Sequence, residues 1–392
     1  MSATPTQLPA PRPVLRLAPL LALLACLALW ACSEGPAPRE QAFRIGFTAA
    51  LTSDSQPVRP DGALLAAEQV NAEGGLKVAG RRLPVRLIIR DNRNRLEETL
   101  VAVRELITRD QVSAVVGPFV SRQAIPAGAL AQSSGVVLVS PSSSNPETTR
   151  GKPFVFRVAF VDPVQGKALA RFAREDLGAQ RAAVLFDATD EYCKGVAEYF
   201  RQAFTAQGGE IVAFEAYLTG DADFASRLAR IKAARCQVLL LPNFAPDLIR
   251  QLHLARKMGV AKDILGTDCW DYPDNLHEPA AQGAYFSTNF VLDRDVPETR
   301  TFVQAFSKRF ARPPAMDDAL SYDAMQLLFR AAQQAGAVQP QALRTALANL
   351  GHHQGVSGIM RFNGTGDPER SVVIVRIQDG RPAFQKEIQP DD

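Results

Sequence analysis

Three serines stand where their hydroxyl and backbone groups could bind a small charged solute. Ser121 follows Gly117-Pro118 at the predicted start of a helix. There, the unpaired N–H groups of the first turn and the helix dipole suit a carboxylate. Ser142 and Ser144 follow a predicted strand and offer donors and acceptors to a carboxylate or an ammonium group. Two simpler interpretations remain open: Ser121 caps its own helix, and the other serines form only a polar turn.

Two side chains in the second half of the chain could complete such a site. Asp268 ends the predicted strand 263–267, and a carboxylate at a strand end complements a cation. Tyr192 follows the predicted strand 182–186, where its ring could shield a solute while its hydroxyl bonds to it. Alternatively, Asp268 caps the segment that follows it, and Tyr192 is a surface aromatic in the first turn of a helix.

No catalytic or metal-binding motif accompanies these residues in the sequence. The chain lacks a GxSxG elbow, a P-loop, an HExxH pair and a GxGxxG after a strand. The four histidines are His253, His277 and the adjacent His352 and His353, and no CxxC or Cys/His cluster is present. We therefore expect neither an enzyme nor a metal or cofactor.

Composition indicates a folded protein whose partners are not nucleic acids. Hydrophobic residues make up 46% of the 392 residues, which is typical of a globular chain. A formal net charge of only +3 gives no reason to expect a nucleic acid or an anionic membrane surface as partner. Without the leader described next, about 360 residues remain, which favours two lobes over one core.

The first 31 residues resemble an export signal. Arg12 and Arg16 precede an apolar run, Leu17 to Ala31, that is shorter than the roughly 20 residues a membrane-spanning helix needs. The small residue Ala31 before Cys32 is typical of a bacterial lipoprotein signal. Cys26 is an alternative lipidation site, because Leu-Leu-Ala precedes it.

A polar, Pro-rich stretch follows Cys32 and has the composition of a spacer. We therefore predict a signal peptide over 1–31, a lipid on Cys32, and a tether over 32–41. The protein would then be lipid-anchored to a membrane on its periplasmic side.

From Phe43 onward, short apolar runs alternate with amphipathic stretches. Four predicted strands with helices between them span 43–140, and the same alternation restarts at 182 and continues to 267. Such an order predicts an α/β fold with two doubly wound parallel-sheet lobes. Ligands of such sheets bind at the carboxyl ends of the strands, here in a cleft between the lobes.

The segment after Tyr285 is predicted to complete both lobes rather than to form a third. Its long helices have no strands of their own, so the chain must cross between the lobes repeatedly, near 157–162, 284–289 and 351–356. These crossovers would form a hinge. The predicted lobes comprise 42–159 plus 286–352 for the first, and 160–285 plus 353–392 for the second.

Three blocks in the first lobe resemble the type I periplasmic binding proteins, specifically the leucine/isoleucine/valine-binding family of solute receptors. The blocks are AAEQVNAEGGLKVAGRRLPVRLIIRDN (66–92), VSAVVGPFVS (112–121) and VVLVSPSSSNPETT (136–149). The resemblance implies a non-catalytic, cofactor-free receptor that closes on an amino acid or related small amide and serves an ABC permease. A ligand sensor without a transport role is the alternative, because the fold does not separate the two uses.

The resemblance also implies roles for individual residues. Ser142 would contact the solute through its main chain and Ser144 through its hydroxyl. Tyr192 would close over the solute and Asp268 would hold its ammonium group. Phe244 stands where many relatives carry a tyrosine, so it would offer an apolar wall or only pack in the core.

Three features depart from that family. The loop 52–62 is shorter than the usual lip and lacks its aromatic residue, so Val58 or Arg59 is expected to fill the space. Asp317 falls near a position that often lines the side-chain pocket with an apolar residue. An acid there would favour a polar or basic solute, or it would only cap a helix. The family's first-lobe disulfide is absent.

Cys193 and Cys269 both follow predicted strand ends. An export compartment would permit a disulfide between them, and free buried thiols are the alternative.

Overall fold

The computed structural model describes residues 1–4, 7, 10, 42–53 and 57–390. Cys26, Cys32, the predicted tether and most of the predicted leader lie outside these described residues. Within them, no helix combines the length and the apolar character needed to cross a membrane.

The first part of the chain forms a parallel sheet of five strands. Its main elements are β1 (Phe43–Ala49), α1 (Asp61–Ala72), β2 (Leu76–Val78), β3 (Arg81–Leu83), β4 (Val85–Asp91), α2 (Leu96–Thr108), β5 (Ala114–Val116), α3 (Ser121–Ser134), β6 (Val137–Ser140) and β7 (Val155–Arg157). The sheet order is β4-β1-β5-β6-β7, with every neighbouring pair parallel. Strands β2 and β3 form a separate hairpin.

The second part of the chain repeats this alternation of strands and helices. Its main elements are α4 (Asp162–Glu175), β8 (Arg181–Asp187), α5 (Glu191–Ala206), β9 (Glu210–Tyr217), α6 (Phe224–Ala233), β10 (Val238–Leu240), α7 (Asp247–Met258), β11 (Asp263–Gly266), α8 (Pro273–His277) and β12 (Tyr285–Thr288). Short 3-10 turns cover Pro146–Thr148, Asp268–Trp270 and Pro279–Ala281.

The last part of the chain contributes to both lobes. Its elements are α9 (Pro297–Phe310), α10 (Met316–Ala335), α11 (Pro340–Ala348), β13 (Gly351–Gly355), β14 (Gly358–Phe362), β15 (Pro368–Glu369), β16 (Val372–Gln378) and β17 (Arg381–Ile388). The three helices pack on the first core, where Phe329 of α10 meets Phe43 edge to face at 6.4 Å. Strands β16 and β17 extend the second sheet, whose order is β17-β16-β12-β11-β10-β8-β9.

Two of the predicted lobe boundaries differ from the structure. Residues 286–288 lie in β12 of the second sheet, and residues 353–369 pack with the first lobe. Met360 and Phe362 of β14 face the first core, and the Phe362 ring meets Phe156 at 6.4 Å. The alternating pattern of β14 predicts a strand but does not specify which core receives its apolar face. The third crossover therefore lies between β15 and β16.

A glycine positions the start of α3. Gly117 follows β5 with φ at +102°, and a Cβ there would lie 2.1 Å from the Thr48 carbonyl oxygen. Only glycine fits both constraints. The turn from β5 to Ser121 therefore depends on Gly117.

Candidate ligand-binding site

A small cavity, here called the inner cavity, lies where the two lobes meet. Its volume is about 30 Å³. The first lobe contributes Phe119, Val120, Ser121, Ser142 and Met316 to its lining, and the second contributes Tyr192, Phe244, Asp268, Cys269 and Tyr272. Five of the seven predicted ligand-binding residues are therefore brought together here. Ser144 and Asp317 are not among its lining residues.

Ser121 is the first residue of α3 and does not cap that helix. The cap position is Val120, and no side chain accepts a capping hydrogen bond there. The Ser121 hydroxyl lies 3.0 Å from that of Ser143 and accepts a hydrogen bond from Asn145 N at 3.4 Å. Ser121 is therefore held by the neighbouring loop, with its side chain at the cavity rather than folded back on its own helix.

The loop 142–145, here called the serine loop, is held from behind by a buried arginine. Arg157, at 0% exposure, donates to the carbonyl oxygens of Ser143 and Asn145 at 2.7 and 2.9 Å and to Asp367 at 2.6 Å. Ser142 lines the inner cavity and donates its hydroxyl to Phe119 O at 3.2 Å. Arg157 was not predicted as a site residue, because a buried arginine has no local pattern that separates it from a surface one.

Ser144 lines neither the inner cavity nor the larger one beside it. It is buried, and its main-chain oxygen accepts a hydrogen bond from Asp162 N at 2.9 Å. The predicted contact between the Ser144 hydroxyl and a solute stays a prediction.

Asp268 provides a buried carboxylate from the second lobe. It begins the 3-10 turn after β11, and its oxygens accept hydrogen bonds from Tyr192 Oη at 2.5 Å, Gln165 Nε2 at 2.6 Å and Asn289 Nδ2 at 3.4 Å. Burial raises the pKa of Asp268, and the donors from Tyr192 and Gln165 oppose that rise. These donors favour the ionised form, which can attract a cation.

Phe244 and Tyr272 form aromatic walls of the inner cavity. The Phe244 ring lies 5.5 Å from that of Tyr192, and the Arg122 guanidinium lies 5.9 Å from the Phe244 ring centre. Tyr272 was not predicted as a site residue. It comes from a turn between a 3-10 segment and α8, where the sequence shows no periodicity to place it.

Asp317 lies behind Tyr272 rather than at the cavity surface. Its Oδ2 accepts a hydrogen bond from the Tyr272 hydroxyl at 3.0 Å, and its Oδ1 has no hydrogen-bond partner. Burial raises the pKa of Asp317 to about 7. Any effect of Asp317 on a solute would therefore pass through Tyr272.

A larger cavity of about 560 Å³, here called the outer cavity, adjoins the inner one. The two share Phe119, Val120, Phe244 and Tyr272 as lining residues. Val58 lines the outer cavity and is 5% exposed, whereas the Arg59 side chain is 65% exposed and pairs with Asp61. Val58, rather than Arg59, therefore lies where the missing lip residue was expected.

Several contacts join the lobes around these cavities. Arg122 of α3 pairs with Asp190 of the second lobe at 3.1 Å, and Asn145 Nδ2 donates to Glu191 O at 3.1 Å. With the Tyr272–Asp317 hydrogen bond, these contacts hold the lobes together at the site.

The disulfide between Cys193 and Cys269, which the sequence left open, is not formed. Cys193, Cys236 and Cys269 are buried thiols, which agrees with the alternative interpretation. Burial raises the pKa of each of these thiols, so they are poor nucleophiles. Among the residues that the structure describes, no group of acidic, histidine and cysteine side chains has a metal-binding arrangement.

Two α/β lobes that are joined by three chain segments and line cavities between them define a bilobal binding protein. A family model described as periplasmic binding protein matches residues 42–382. The chain belongs to the periplasmic binding protein family, whose members are solute receptors rather than enzymes.

Several proteins of similar sequence or structure bear names of amino-acid-binding proteins. The leucine-, isoleucine-, valine-, threonine- and alanine-binding protein of Pseudomonas aeruginosa is 27% identical over 289 residues, covering 73% of this chain and 76% of that protein. A leucine-binding protein of Thermotoga maritima superposes with a TM-score of 0.81 at 28% identity, covering 90% of this chain and 100% of that one. A branched-chain amino acid transporter substrate-binding protein of Streptococcus pneumoniae was solved with isoleucine. It superposes with a TM-score of 0.80 at 27% identity, covering 89% of this chain and 99% of that one. These likenesses confirm the predicted type I fold and family.

Proposed function

We propose that this protein is an extracytoplasmic receptor that closes on an amino acid and delivers it to an ABC permease. The observation that supports this most directly is the composition of the inner cavity. The first lobe contributes the hydroxyl-bearing residues Ser121 and Ser142, and the second contributes the Asp268 carboxylate. This polarity matches the carboxylate and ammonium groups of an amino acid. The similar proteins with named amino-acid ligands support the same class of solute.

The mechanism that fits this geometry is hinge closure. The solute binds first to the first lobe, because its serine loop is already fixed by Arg157. The second lobe then brings Tyr192 and Asp268 to the ammonium end. A solute shifts the equilibrium between open and closed forms only by its differential affinity for the two, so contacts from both lobes are required. The permease would recognise the closed form.

We also propose that the receptor is tied to the membrane by a lipid on Cys32. The polar, Pro-rich segment that follows would act as a tether, leaving the two lobes free to open and close. Diffusion of the receptor would then be confined to the membrane surface on which the permease lies.

The test is calorimetric titration of the full-length protein with the common amino acids, followed by titration of two variants with the solute that binds. Ser121→Ala removes a first-lobe hydroxyl, and Asp268→Asn removes the second-lobe charge. Each is expected to weaken binding at least tenfold, or about 1.4 kcal/mol. Ser133→Ala and Asp274→Asn are matched controls, because both residues are exposed and line neither cavity. Affinities within twofold of the wild type in both site variants would refute this site.

A further inference from the structure

The outer cavity is larger than the inner one and contains none of Ser121, Ser142 and Asp268, which line the inner cavity. The two cavities share four lining residues, of which Phe119, Val120 and Phe244 have apolar side chains. A solute whose head lies at Ser121 and Asp268 would have to pass these side chains to reach the outer cavity. Unbranched methylene groups suit such a passage, because apolar surface is favourably buried there.

Charged side chains distinguish the lining of the outer cavity from that of the inner one. Five charged side chains line the outer cavity: Arg122, Asp187, Asp190, Asp247 and Arg250. Arg122 pairs with Asp190, and Arg250 pairs with Asp247. Each guanidinium is therefore already neutralised by a carboxylate. An anionic group entering this cavity would find no unpaired cation among them.

Asp187 is the remaining carboxylate, and the described residues give it no cationic partner. It is the last residue of β8 and is 7% exposed. Oδ1 accepts hydrogen bonds from Thr189 N at 2.8 Å and Thr189 Oγ1 at 2.6 Å, and Oδ2 accepts one from the Thr219 hydroxyl. A carboxylate has about four acceptor positions, so these three donors leave one for a further donor.

We propose that the preferred solute is an α-amino acid with an unbranched side chain that ends in a cation, and that Asp187 binds this distal cation. This inference depends on the proposed function, because it places the amino-acid head at the inner cavity. The methylene groups pass Phe119 and Phe244, and the terminal ammonium meets the carboxylate that lacks a cation. A charge-assisted hydrogen bond to a mostly buried carboxylate is stronger than one between neutral groups.

The experiment compares L-lysine with L-norleucine, whose unbranched chain has the same length without the terminal ammonium group. Calorimetric titration of the full-length wild-type protein is expected to give at least tenfold tighter binding for lysine. Asp187→Asn keeps the hydrogen-bond acceptor for Thr189 but removes the charge. This variant is expected to lower the affinity for lysine at least tenfold and to change the affinity for norleucine less than twofold.

Two further variants separate the possible outcomes. Asp268→Asn is expected to lower the affinity for both ligands, because both carry the same head group. Asp274→Asn is expected to leave both affinities unchanged. Norleucine binding as tightly as lysine in the wild type would overturn the distal-cation site and leave the amino-acid receptor standing. Equal losses for both ligands in Asp187→Asn would also overturn it, because Asp187 would then support the fold or the closure. Binding of no amino acid at all would overturn both proposals.

Discussion

Asp317 is a buried carboxyl group whose protonation is coupled to folding. Burial raises its pKa from 3.8 to about 7, with nearby Asp318, Asp271 and Asp268 adding to the rise and the hydrogen bond from Tyr272 opposing it. Between these two pH values the folded protein keeps a proton that the unfolded chain has released. The contribution of Asp317 to the free energy of unfolding therefore falls as the pH rises from about 4 to 7, and is level above that.

Asp317→Asn should remove this dependence, because an amide does not titrate and still accepts the Tyr272 hydrogen bond. Urea unfolding at pH 5 and pH 8 should show the wild type losing more stability over this rise than the variant, by up to about 3 kcal/mol. The difference between the two proteins isolates Asp317 from the other titrating groups. Identical losses in both proteins would contradict a raised pKa at this residue.

At the residue scale, the sequence identified side chains at the ends of elements better than those within loops or the interior. Ser121, Ser142 and Asp268 were predicted because they follow predicted strands or begin a predicted helix, and all three line the inner cavity. Arg157 and Tyr272 were missed. A buried arginine that binds carbonyl oxygens and a tyrosine in an irregular turn are defined only by tertiary contacts.

Helix α5 lies close to Asp162 of α4 and to Asn145 of the serine loop at a glycine. A Cβ on Gly195 would lie 3.0 Å from Asp162 Oδ2 and 3.4 Å from Asn145 Nδ2. The small residue therefore lets α5 pack tightly against the start of α4 within the second lobe, with Asn145 of the first lobe at an ordinary contact distance.

Gly195→Leu should crowd both Asp162 and Asn145 and so hinder the approach of the serine loop to α5. Leucine is favoured over glycine within a helix by roughly 0.8 kcal/mol, so the helix itself should not be weakened. Solute affinity should fall at least tenfold, and small-angle scattering with saturating solute should give a larger radius of gyration than the wild type. Lys194→Leu adds the same side chain at a neighbouring exposed position and should leave both quantities unchanged. Wild-type affinity in Gly195→Leu would show that this contact does not limit closure.

At the element scale, hydrophobic periodicity predicted nine of the twelve strands that the described residues form in the two sheets and missed β7, β12 and β17, as well as helix α4. It also did not predict the lobe to which the last elements belong. The strand 358–362 has the same alternation in either lobe, and only its fit against Phe156 assigns it to the first.

At the scale of the whole molecule, all three crossovers meet at one side chain. Arg370, which lies in the third crossover, donates to Val158 O at 2.7 Å in the first and to Asn289 O at 3.0 Å in the second. It also donates to Ser357 O at 2.9 Å, and it is buried. Because a guanidinium offers five donors in a rigid plane, it can hold several carbonyl oxygens in fixed directions. The three segments are therefore tied together at one point of the hinge.

Membrane attachment concerns the whole chain and can be tested directly. In cells that process lipoproteins, Cys32→Ser should abolish incorporation of labelled palmitate and move the protein from the membrane fraction to the soluble one. Acyl chains contribute about 0.8 kcal/mol per buried methylene, so their loss should release the protein. Cys26→Ser is the matched control and should remain labelled. Loss of label in Cys26→Ser instead would assign the lipid to that residue.

The size of the inner cavity has a kinetic consequence. A volume of about 30 Å³ has room for about one or two water molecules, and an amino acid is several times larger. An amino-acid head group therefore does not fit in the inner cavity at this volume, and the proposed closure requires the lobes to separate to admit it. Under that proposal the rate of capture cannot exceed the rate of opening, however concentrated the solute. Release under the same proposal requires the contacts that Arg122 and Tyr272 make across the cleft to break first.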